Sequence, residues 1–236
     1  MGIDYNNVIV TDGLVGYWDA ANTRTYSGNG LTVNALFGGI GGTLVNGVGF
    51  SSSYGGYFSF DGVDDYFDTS FNPSVTYTDT FTLDFAAKPF AETLTSTEAT
   101  TGTPGIFGKK YIVEPLNASS NGGLGIALGT NAIEVVEHGS GYMPVLLSYS
   151  ANLSSYNHFT ISVNNRQSSL YINGSFIRQG LQSARPSTII KNIATFGKGY
   201  YGNYNGHMLF YKLYNRALSA TEILQNYNAT KRRYGL

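Results

Sequence analysis

Apolar and polar residues alternate with a period of two along most of the chain, as in β-strands that bury one face. Residues 157–178 combine such runs with Asn173-Gly174, a dipeptide that favours a two-residue hairpin turn, and so predict a three-stranded meander. Near the C-terminus, the alternation within residues 209–213 places Lys212 in solvent. Further strands are predicted at residues 14–18, 42–45, 57–60, 81–87, 105–109, 124–128, 133–137 and 193–197.

One segment has helical periodicity instead. Ser219 and Glu222 have the spacing of a capping box, in which each side chain accepts a hydrogen bond from the other residue's backbone N–H. The apolar positions that follow predict a helix over residues 219–229 that packs against a sheet. A basic tail at residues 230–236 comes next, and its cations favour the negative end of the helix dipole. Contact of this tail with a partner is the alternative.

Charge is scarce and cysteine is absent. Of the 236 residues, 14 are Lys or Arg and 15 are Asp or Glu, so 12% are charged, against a usual share of about 25%. A net charge of −1 provides no electrostatic footprint for nucleic acid or for an anionic membrane surface. The lack of Cys excludes disulfides, structural Cys–zinc sites and thiol catalysis.

The sequence shows no sign of division. No linker or charge block interrupts it, so we predict one domain over residues 1–236, with an N-terminal arm at residues 1–13. The start of the sequence has no basic segment followed by an apolar run, so no secretory signal is predicted. No stretch approaches the roughly 20 apolar residues that cross a bilayer. Segment 91–103 is polar and rich in Thr, and we predict a mobile loop there.

Three carboxylates are grouped between positions 61 and 65, namely Asp61, Asp64 and Asp65. Ca²⁺ takes several oxygen ligands, so this group is a candidate metal site. However, the spacing lacks the alternating pattern of a dedicated calcium loop, and successive residues of a strand point to opposite faces. The alternative is a tight turn around Gly62, in which Asp61 and Asp64 accept backbone N–H groups.

A second candidate site is a loop rich in Tyr and Asn. Its members are Tyr200, Tyr201, Asn203, Tyr204 and Asn205. Sugars stack their C–H faces on aromatic rings and form hydrogen bonds with amides, and the same residue types suit protein interfaces. Three interpretations stay open at this point: carbohydrate binding, a partner interface, and a loop that only covers the edge of a sheet.

Catalysis has little support in the sequence. Glu134 and Glu137 are three residues apart, so a strand places them on opposite faces and they cannot act as an acid–nucleophile pair. Residues 197–202 match G-x-G-x-x-G, but no helix follows, as a dinucleotide site requires. Ser140 lacks the context of a nucleophile elbow, and the three His are too scattered for a zinc site. Trp18, the only Trp, is expected in the core.

Several motifs occur in a recognisable order: FDGVDDY at 60–66, FTLDFAAKP at 81–89, a strand pair ending in LYING at 170–174, and LYNRALS at 213–219. Together they resemble the laminin-G-like members of the concanavalin-A-like lectin/glucanase superfamily, over about residues 14–230. The resemblance implies an all-β fold, an antiparallel β-sandwich or jelly roll of two curved sheets with about six or seven strands each and a short C-terminal helix.

Two positions depart from this family pattern. Phe85 and Ala86 stand where members often carry a Trp, which is a conservative change of packing. His207 stands near a common Asp, so no polar role is carried over to it.

The two ends of the chain are similar to laminin-G-like virion proteins of tailed bacteriophages: VTDGLVGYWD at 10–19 and QNYNATKRRYGL at 225–236. This narrower resemblance implies a non-enzymatic virion surface protein, as a capsid decoration, head fibre or tail appendage. Its expected partners are other virion structural proteins and host glycans, in a homo-oligomer, without nucleic acid or membrane insertion. One alternative is a secreted or cell-surface lectin that binds sugars with the help of Ca²⁺. The other, with the least support, is a glycan-cleaving enzyme.

Overall fold

The fold consists of two sheets and one helix. A computed structural model describes residues 8–39, 41–69, 77–103, 107–190, 195–197 and 201–236. The first sheet contains β1 (Leu14–Asp19), β4 (Gly49–Ser51), β5 (Tyr57–Asp61), β8 (Phe81–Pro89), β13 (Asn157–Asn164), β14 (Gln167–Ile172), β15 (Ser175–Gln182) and β18 (Asn205–Tyr214). The second contains β2 (Thr32–Val33), β3 (Gly42–Val45), β6 (Tyr66–Thr69), β7 (Tyr77–Thr78), β9 (Tyr111–Val113), β10 (Gly122–Leu128), β11 (Ala132–His138), β12 (Val145–Ser150), β16 (Thr188–Ile190) and β17 (Thr195–Phe196).

The strand order brings together segments that are distant in sequence. The first sheet runs β15-β14-β13-β8-β18-β5-β4, and β1 also pairs with β18. The second runs β12-β11-β10-β9-β17-β6-β3-β2, with β16 beside β10 and β7 beside β16. Neighbours are antiparallel, except that β16 is parallel to β10. The predicted all-β sandwich, including the meander β13-β14-β15, is therefore confirmed.

A large apolar core fills the space between the sheets. Trp18 is 1% exposed within it and contacts the rings of Phe67 and Tyr211, as expected for a core residue. The alternating residues Phe81, Leu83, Phe85 and Ala87 of β8 line the same core, while the opposite face of that strand is also buried.

The described residues contain more strands than the predicted six or seven per sheet. Eight lie in the first sheet and ten in the second, because β2, β4, β7, β9, β16 and β17 have only two or three residues each. Such short segments show too few positions for an alternation to be read.

The strand predicted at 105–109 is wrong for the part that the structure describes. Residues 107 and 108 form a turn, and Gly108 takes a left-handed φ of 77° that interrupts extended backbone. Strand β9 starts only at Tyr111. Residues 104–106 lie outside the described residues.

A second apolar layer lies on the outer face of the first sheet, beneath α1 (Ala220–Tyr234). It includes residues from the N-terminal segment, β18 and the helix: Val10, Leu14, Tyr17, Ala86, Leu209, Phe210, Tyr214, Leu218, Ile223 and Tyr234. The backbone N–H of Val10 donates to Asn226 of the helix, which fixes the N-terminal segment there. The part of this outer face that lies beneath α1 is therefore as fully buried as the core.

Lys212 is buried rather than in solvent, so that prediction is wrong. Its ammonium lies 2.9 Å from a carboxylate oxygen of Asp84, and both side chains are fully buried under the helix. The other carboxylate oxygen of Asp84 accepts from Thr160 at 2.8 Å and pairs with His158, while Asn226 donates to the first at 3.0 Å. Alternation gave the correct face of Lys212, but the helix covers that face.

The helix begins as predicted and ends later than predicted. Ser219 and Glu222 form the full capping box. The helix continues to Tyr234, so residues 230–234 are helical and do not form a separate basic tail; Lys231, Arg232 and Arg233 occupy its last turn. Gly235 ends it with a left-handed φ of 66°. The sequence between Ala229 and Gly235 contains no residue that stops a helix, which explains the longer element.

Ser219→Ala is expected to lower the free energy of unfolding by about 1 kcal/mol, because the first turn loses its acceptor. Hydrogen bonds from Arg216 lower the pKa of Glu222 to about 2. A carboxylate with a depressed pKa stabilises the fold above its unfolded pKa, about 4.3. The stability difference between wild type and Glu222→Gln, measured by urea denaturation, should therefore shrink as the pH falls from 5 towards 2. A difference that does not change with pH would contradict this role of Glu222.

The polar segment 91–103 lies against the second sheet. Thr93 exchanges two hydrogen bonds with the amide of Asn131, and the N–H of Ser96 donates to Glu134. Its predicted mobility stays a prediction. Within the described part of the chain, no helix has the length and apolar character needed to span a membrane.

Candidate binding surface

The acidic turn, Asp61 to Asp65, connects β5 to β6. Ligand atoms of Asp61, Asp64 and Asp65 lie within 4.8 Å of one another, although successive strand residues would diverge. Asp61 Oδ1 accepts the N–H of Val63 at 2.7 Å, and Asp65 Oδ2 accepts the N–H of Asp61 at 3.1 Å. Gly62, at φ 79°, allows this reversal of the chain. Asp61 and Asp65 thus accept N–H groups of the turn, which agrees with the turn interpretation for Asp61 and brings in Asp65 where Asp64 was expected. The three carboxylates are also close enough to share a cation.

Burial raises the pKa of Asp65, which is 5% exposed. Its Oδ1 atom accepts no hydrogen bond within the described part of the molecule. Ca²⁺ would find its three carboxylates at Asp61, Asp64 and Asp65, and the rest of its coordination would have to come from backbone oxygens and water.

The predicted Tyr/Asn loop is attached to this turn. Asn205 donates from its amide to the carbonyl of Asp61 at 2.9 Å, and Asn203 donates to the carbonyl of Val63. The amides that could have bound a sugar are therefore engaged by the backbone. The loop and the turn support each other.

The Tyr residues of the loop have different environments. Tyr204 is fully buried, packs its ring edge-on to Phe60 and donates to the carbonyl of His207, so its ring offers no surface. Tyr201 is half-buried and contacts the rings of Phe107 and His138. Tyr200 lies outside the described residues. Within the described part, the loop therefore presents one ring rather than a row of them.

Asp61→Ala is expected to lower the melting temperature equally in Ca²⁺ and in EDTA, because it removes the acceptor of the Val63 N–H from the turn. One lost hydrogen bond, about 1 kcal/mol, corresponds to roughly 2–4 °C in a domain of this size. Asp68→Ala, at an exposed position of β6, is the matched control and should change little. A loss confined to the Ca²⁺ buffer would show instead that the turn holds the ion.

A more extensive exposed aromatic surface lies on the outer face of the first sheet, beyond the area that α1 covers. We call it the aromatic platform; its rings are Tyr54, Tyr57, Phe90, Tyr156 and His207, with Lys88 at its edge. Tyr54 is 60% exposed and Phe90 is 48% exposed, while the other rings are half-buried.

The rings of the platform form a continuous chain of contacts. Tyr57 and His207 stack at 3.7 Å between centroids, and Tyr156 stacks on His207 at 5.9 Å. Tyr54 then contacts Tyr156 at 4.9 Å, and Phe90 meets His207 edge-on at 4.5 Å. The half-buried rings form a floor, and the two exposed rings stand on either side of it.

Sheet register explains why these side chains meet. His207 of β18 lies opposite Ser59 of β5 and Lys88 of β8, and opposed residues in antiparallel strands project from the same face. Tyr57 precedes Ser59 by two positions and shares that face, whereas Phe58 points into the core. The platform is thus built on three neighbouring strands.

Tyr54 enters the platform from a turn with an unusual backbone. It has φ 52° and ψ 35° inside Ser53–Gly55, a left-handed conformation that costs a non-Gly residue free energy. Strained residues of this kind concentrate at ligand-binding sites, because the surrounding structure must hold them in place. The strain places a large exposed ring beside Tyr156.

The polar groups of the platform are uncharged, apart from Lys88. Burial and the nearby Lys88 lower the pKa of His207 to about 4, so the imidazole is neutral near pH 7. Burial raises the pKa of Tyr156 to about 12, and its hydroxyl lies 2.6 Å from Nδ1 of His207. Neutral hydroxyl and imidazole groups among aromatic rings match what sugar-binding surfaces need.

The two glutamates of β11 are occupied by structural bonds. Glu134 is fully buried and pairs with Lys109 at 2.5 Å. Glu137 is also fully buried, and it accepts from Tyr142 and Ser183 among others, while burial raises its pKa. They share no hydrogen-bond partner in the described part of the chain.

The platform could not be predicted from the sequence, because its rings come from four separate segments of the chain. One signal was present: Tyr57, Ser59 and Asp61 alternate with Phe58 and Phe60, which marks Tyr57 as a large ring on a solvent-facing row. Nothing in the sequence indicated that Tyr156 and His207 would join it.

Comparison with known proteins agrees with the fold. A family model described as the concanavalin A-like lectin/glucanases superfamily matches residues 61–224. The chain therefore belongs to this superfamily, as the motifs implied. No curated protein matches the sequence.

Solved structures of the same architecture have low sequence identity. Domain 4 of AbnA, an extracellular arabinanase of Geobacillus stearothermophilus in complex with arabinotriose, is 14% identical with a TM-score of 0.55, over 90% of this chain and 97% of that one. The binding domain of Paraclostridial Mosquitocidal Protein 1 is 17% identical with a TM-score of 0.61, over 92% and 52%.

A third similar structure concerns botulinum neurotoxin type C and its interaction with two ganglioside molecules. It is 12% identical with a TM-score of 0.68, over 92% of this chain and 51% of that one. This chain thus spans about half the length of the two toxin structures.

Proposed function

We propose that this chain is a non-enzymatic carbohydrate-binding domain that attaches its carrier to surface glycans through the aromatic platform. The observation that carries the proposal is the continuous, partly exposed set of rings Tyr54, Tyr57, Phe90, Tyr156 and His207. A pyranose has an apolar C–H face that packs on such rings and hydroxyls that bind neutral polar groups between them.

Structures with the same fold support a glycan ligand. The arabinanase domain is described in complex with arabinotriose, and the neurotoxin is described as depending on two ganglioside molecules for cell entry. These are ligands of those proteins. For this chain the ligand follows from the platform's own chemistry.

The absence of catalysis is part of the proposal. Glycosidases need two carboxyl groups roughly 5–10 Å apart that both face the substrate. Glu134 and Glu137 are fully buried and bonded to protein groups. Asp84, beside His158, is likewise fully buried beneath α1. None of these groups offers an exposed oxygen to a sugar.

The proposed setting is the surface of a virion. The support is the similarity of segments 10–19 and 225–236 to laminin-G-like virion proteins of tailed bacteriophages. In that setting the domain contacts other virion structural proteins as a homo-oligomer and presents the platform to host glycans. Neighbouring genes for capsid or tail proteins, and labelled protein seen on intact particles by electron microscopy, would support this setting; a locus for cellular secretion would overturn it.

A secreted lectin that depends on Ca²⁺ is the second candidate, and the observation that favours it is the carboxylate group at Asp61, Asp64 and Asp65. The two candidates differ in their metal requirement, since no carboxylate belongs to the platform.

A glycan microarray with the purified domain, in Ca²⁺ and in EDTA, tests the proposal. We expect binding to a subset of glycans that is equal in the two buffers. Binding lost in EDTA would favour the Ca²⁺-dependent lectin. Failure to bind any glycan in either buffer, with a folded protein, would overturn carbohydrate binding altogether.

A further inference from the structure

Lys88 is the one charged group of the platform. Its ammonium lies 5.4 Å from the ring centroid of Tyr156 and 5.7 Å from that of Phe90, which are cation–π distances. No carboxylate of the described residues pairs with it, whereas the buried lysines Lys109 and Lys212 each have a carboxylate within 3 Å. Lys88 is half-buried, so its charge is held at the platform rather than extended into water.

The surrounding charges make this cation distinctive. The neighbouring imidazole of His207 is neutral near pH 7, because burial and Lys88 itself lower its pKa to about 4. Arg233, near the turn that carries Tyr54, is already paired with Asp19 at 2.9 Å. Asp61 lies on the same sheet face but two strands away from Lys88, and its carboxylate binds the N–H of Val63. Among the described residues, the positive charge of Lys88 is therefore not neutralised by a direct ion pair at the platform.

From this arrangement we infer that the platform selects an anionic sugar unit, whose pyranose ring packs on the aromatic rings while its acidic group pairs with Lys88. The inference rests on the proposed function and specifies its ligand class. A charge-assisted hydrogen bond in a partly dry site is stronger than a neutral one, so the acidic group adds affinity beyond that of stacking. The second ring nitrogen of His207, Nε2, makes no hydrogen bond within the described part and can bind a sugar hydroxyl.

The same geometry makes a purely neutral ligand less favourable. A neutral sugar over Lys88 would displace water from the ammonium without supplying a charge in return, which costs free energy. An acidic group removes that cost. Carboxylated and sulfated sugars share this chemistry, and they differ in geometry, so they are compared as separate probes.

The test measures three probes by isothermal titration calorimetry: lactose, lactose carrying N-acetylneuraminic acid, and lactose 3′-sulfate. We expect wild type to bind at least one acidic probe about tenfold more tightly than lactose, which is about 1.4 kcal/mol. Lys88→Met keeps the length of the side chain without its charge and should abolish the preference, because the affinity for the acidic probes falls to about that for lactose. Lys110→Met, at a partly exposed site outside the platform, is the matched control and should keep the preference.

Ionic strength provides an independent readout, since added NaCl should weaken acidic binding in wild type but not lactose binding. Equal affinity for the three probes, no binding to any of them, or a preference that survives in Lys88→Met would overturn the inference. If the microarray still shows neutral glycans bound at the platform, only the choice of ligand fails. If the microarray shows no bound glycan, or if the domain binds only protein partners, the proposed function is overturned together with the inference.

Discussion

Asp84→Ala is expected to lower the free energy of unfolding by about 3–5 kcal/mol, the usual cost of removing one partner from a buried ion pair. The side chain is fully buried and interacts with Lys212, His158, Thr160 and Asn226. Its loss would leave the ammonium of Lys212 without a counter-charge in a dry layer. The measurement is urea denaturation followed by the fluorescence of Trp18, which lies in the core.

Two further variants separate charge from packing at this site. Asp84→Leu combined with Lys212→Met removes both charges and should recover part of the loss, because an apolar pair avoids the desolvation cost. Asp64→Ala, at an exposed position, should stay within about 0.5 kcal/mol of wild type. If Asp84→Ala were as mild as Asp64→Ala, the buried cluster would not hold the helix to the sheet.

The same cluster predicts acid sensitivity. Burial alone would raise the pKa of Asp84, but the adjacent His158 and Lys212 outweigh it and hold that pKa well below its usual range. A carboxylate with a depressed folded pKa stabilises the protein above its unfolded pKa of about 3.9 and loses that contribution as the pH falls below it. The stability gap between wild type and Asp84→Ala should therefore narrow in acid.

The second large effect concerns the platform. Tyr54→Ala combined with Phe90→Ala is expected to weaken binding of any glycan selected on the microarray by at least about thirtyfold, near 2 kcal/mol, the scale of an interface hot spot. Both rings are largely exposed, so the melting temperature should change little. Affinity is measured by isothermal titration calorimetry.

Phe176→Ala is the matched control for the platform variant. Phe176 is 57% exposed on β15, and its ring contacts that of Tyr171, which lies outside the platform. It should bind the glycan as wild type does. An equal loss in Phe176→Ala and in the platform variant would mean that exposed aromatics contribute unspecifically and that the platform is not the site.

The sequence predicted the elements well wherever alternation was long enough to be read. Strands such as β8, β13 and β18 and the capped start of α1 depend on local patterns. The burial of Lys212 depends instead on a helix that covers its face, and no local pattern contains that information. The end of the helix at Tyr234 is set by Gly235, so the predicted end at Ala229 was too early.

The candidate sites show the same division. Asp61, Asp64 and Asp65 are neighbours in sequence, so their grouping could be predicted, and the turn that brings their ligand atoms together required Gly62. The role of Tyr204 could not be predicted, because a Tyr in a polar loop gives no indication of the pocket beneath it. The platform joins residues up to 153 positions apart, from Tyr54 to His207, and only the strand order β5-β18-β8 brings them together.

The most direct test of glycan binding by the platform is a chemical-shift titration. The domain, with its aromatic residues isotopically labelled and assigned, is titrated with the strongest glycan from the microarray and followed by NMR. The expected result is that signals of Tyr54, Tyr57, Phe90, Tyr156 and His207 shift together and saturate, while those of Tyr201 and Phe176 do not. Shifts confined to Tyr201 and the acidic turn, or the absence of any shift, would contradict it.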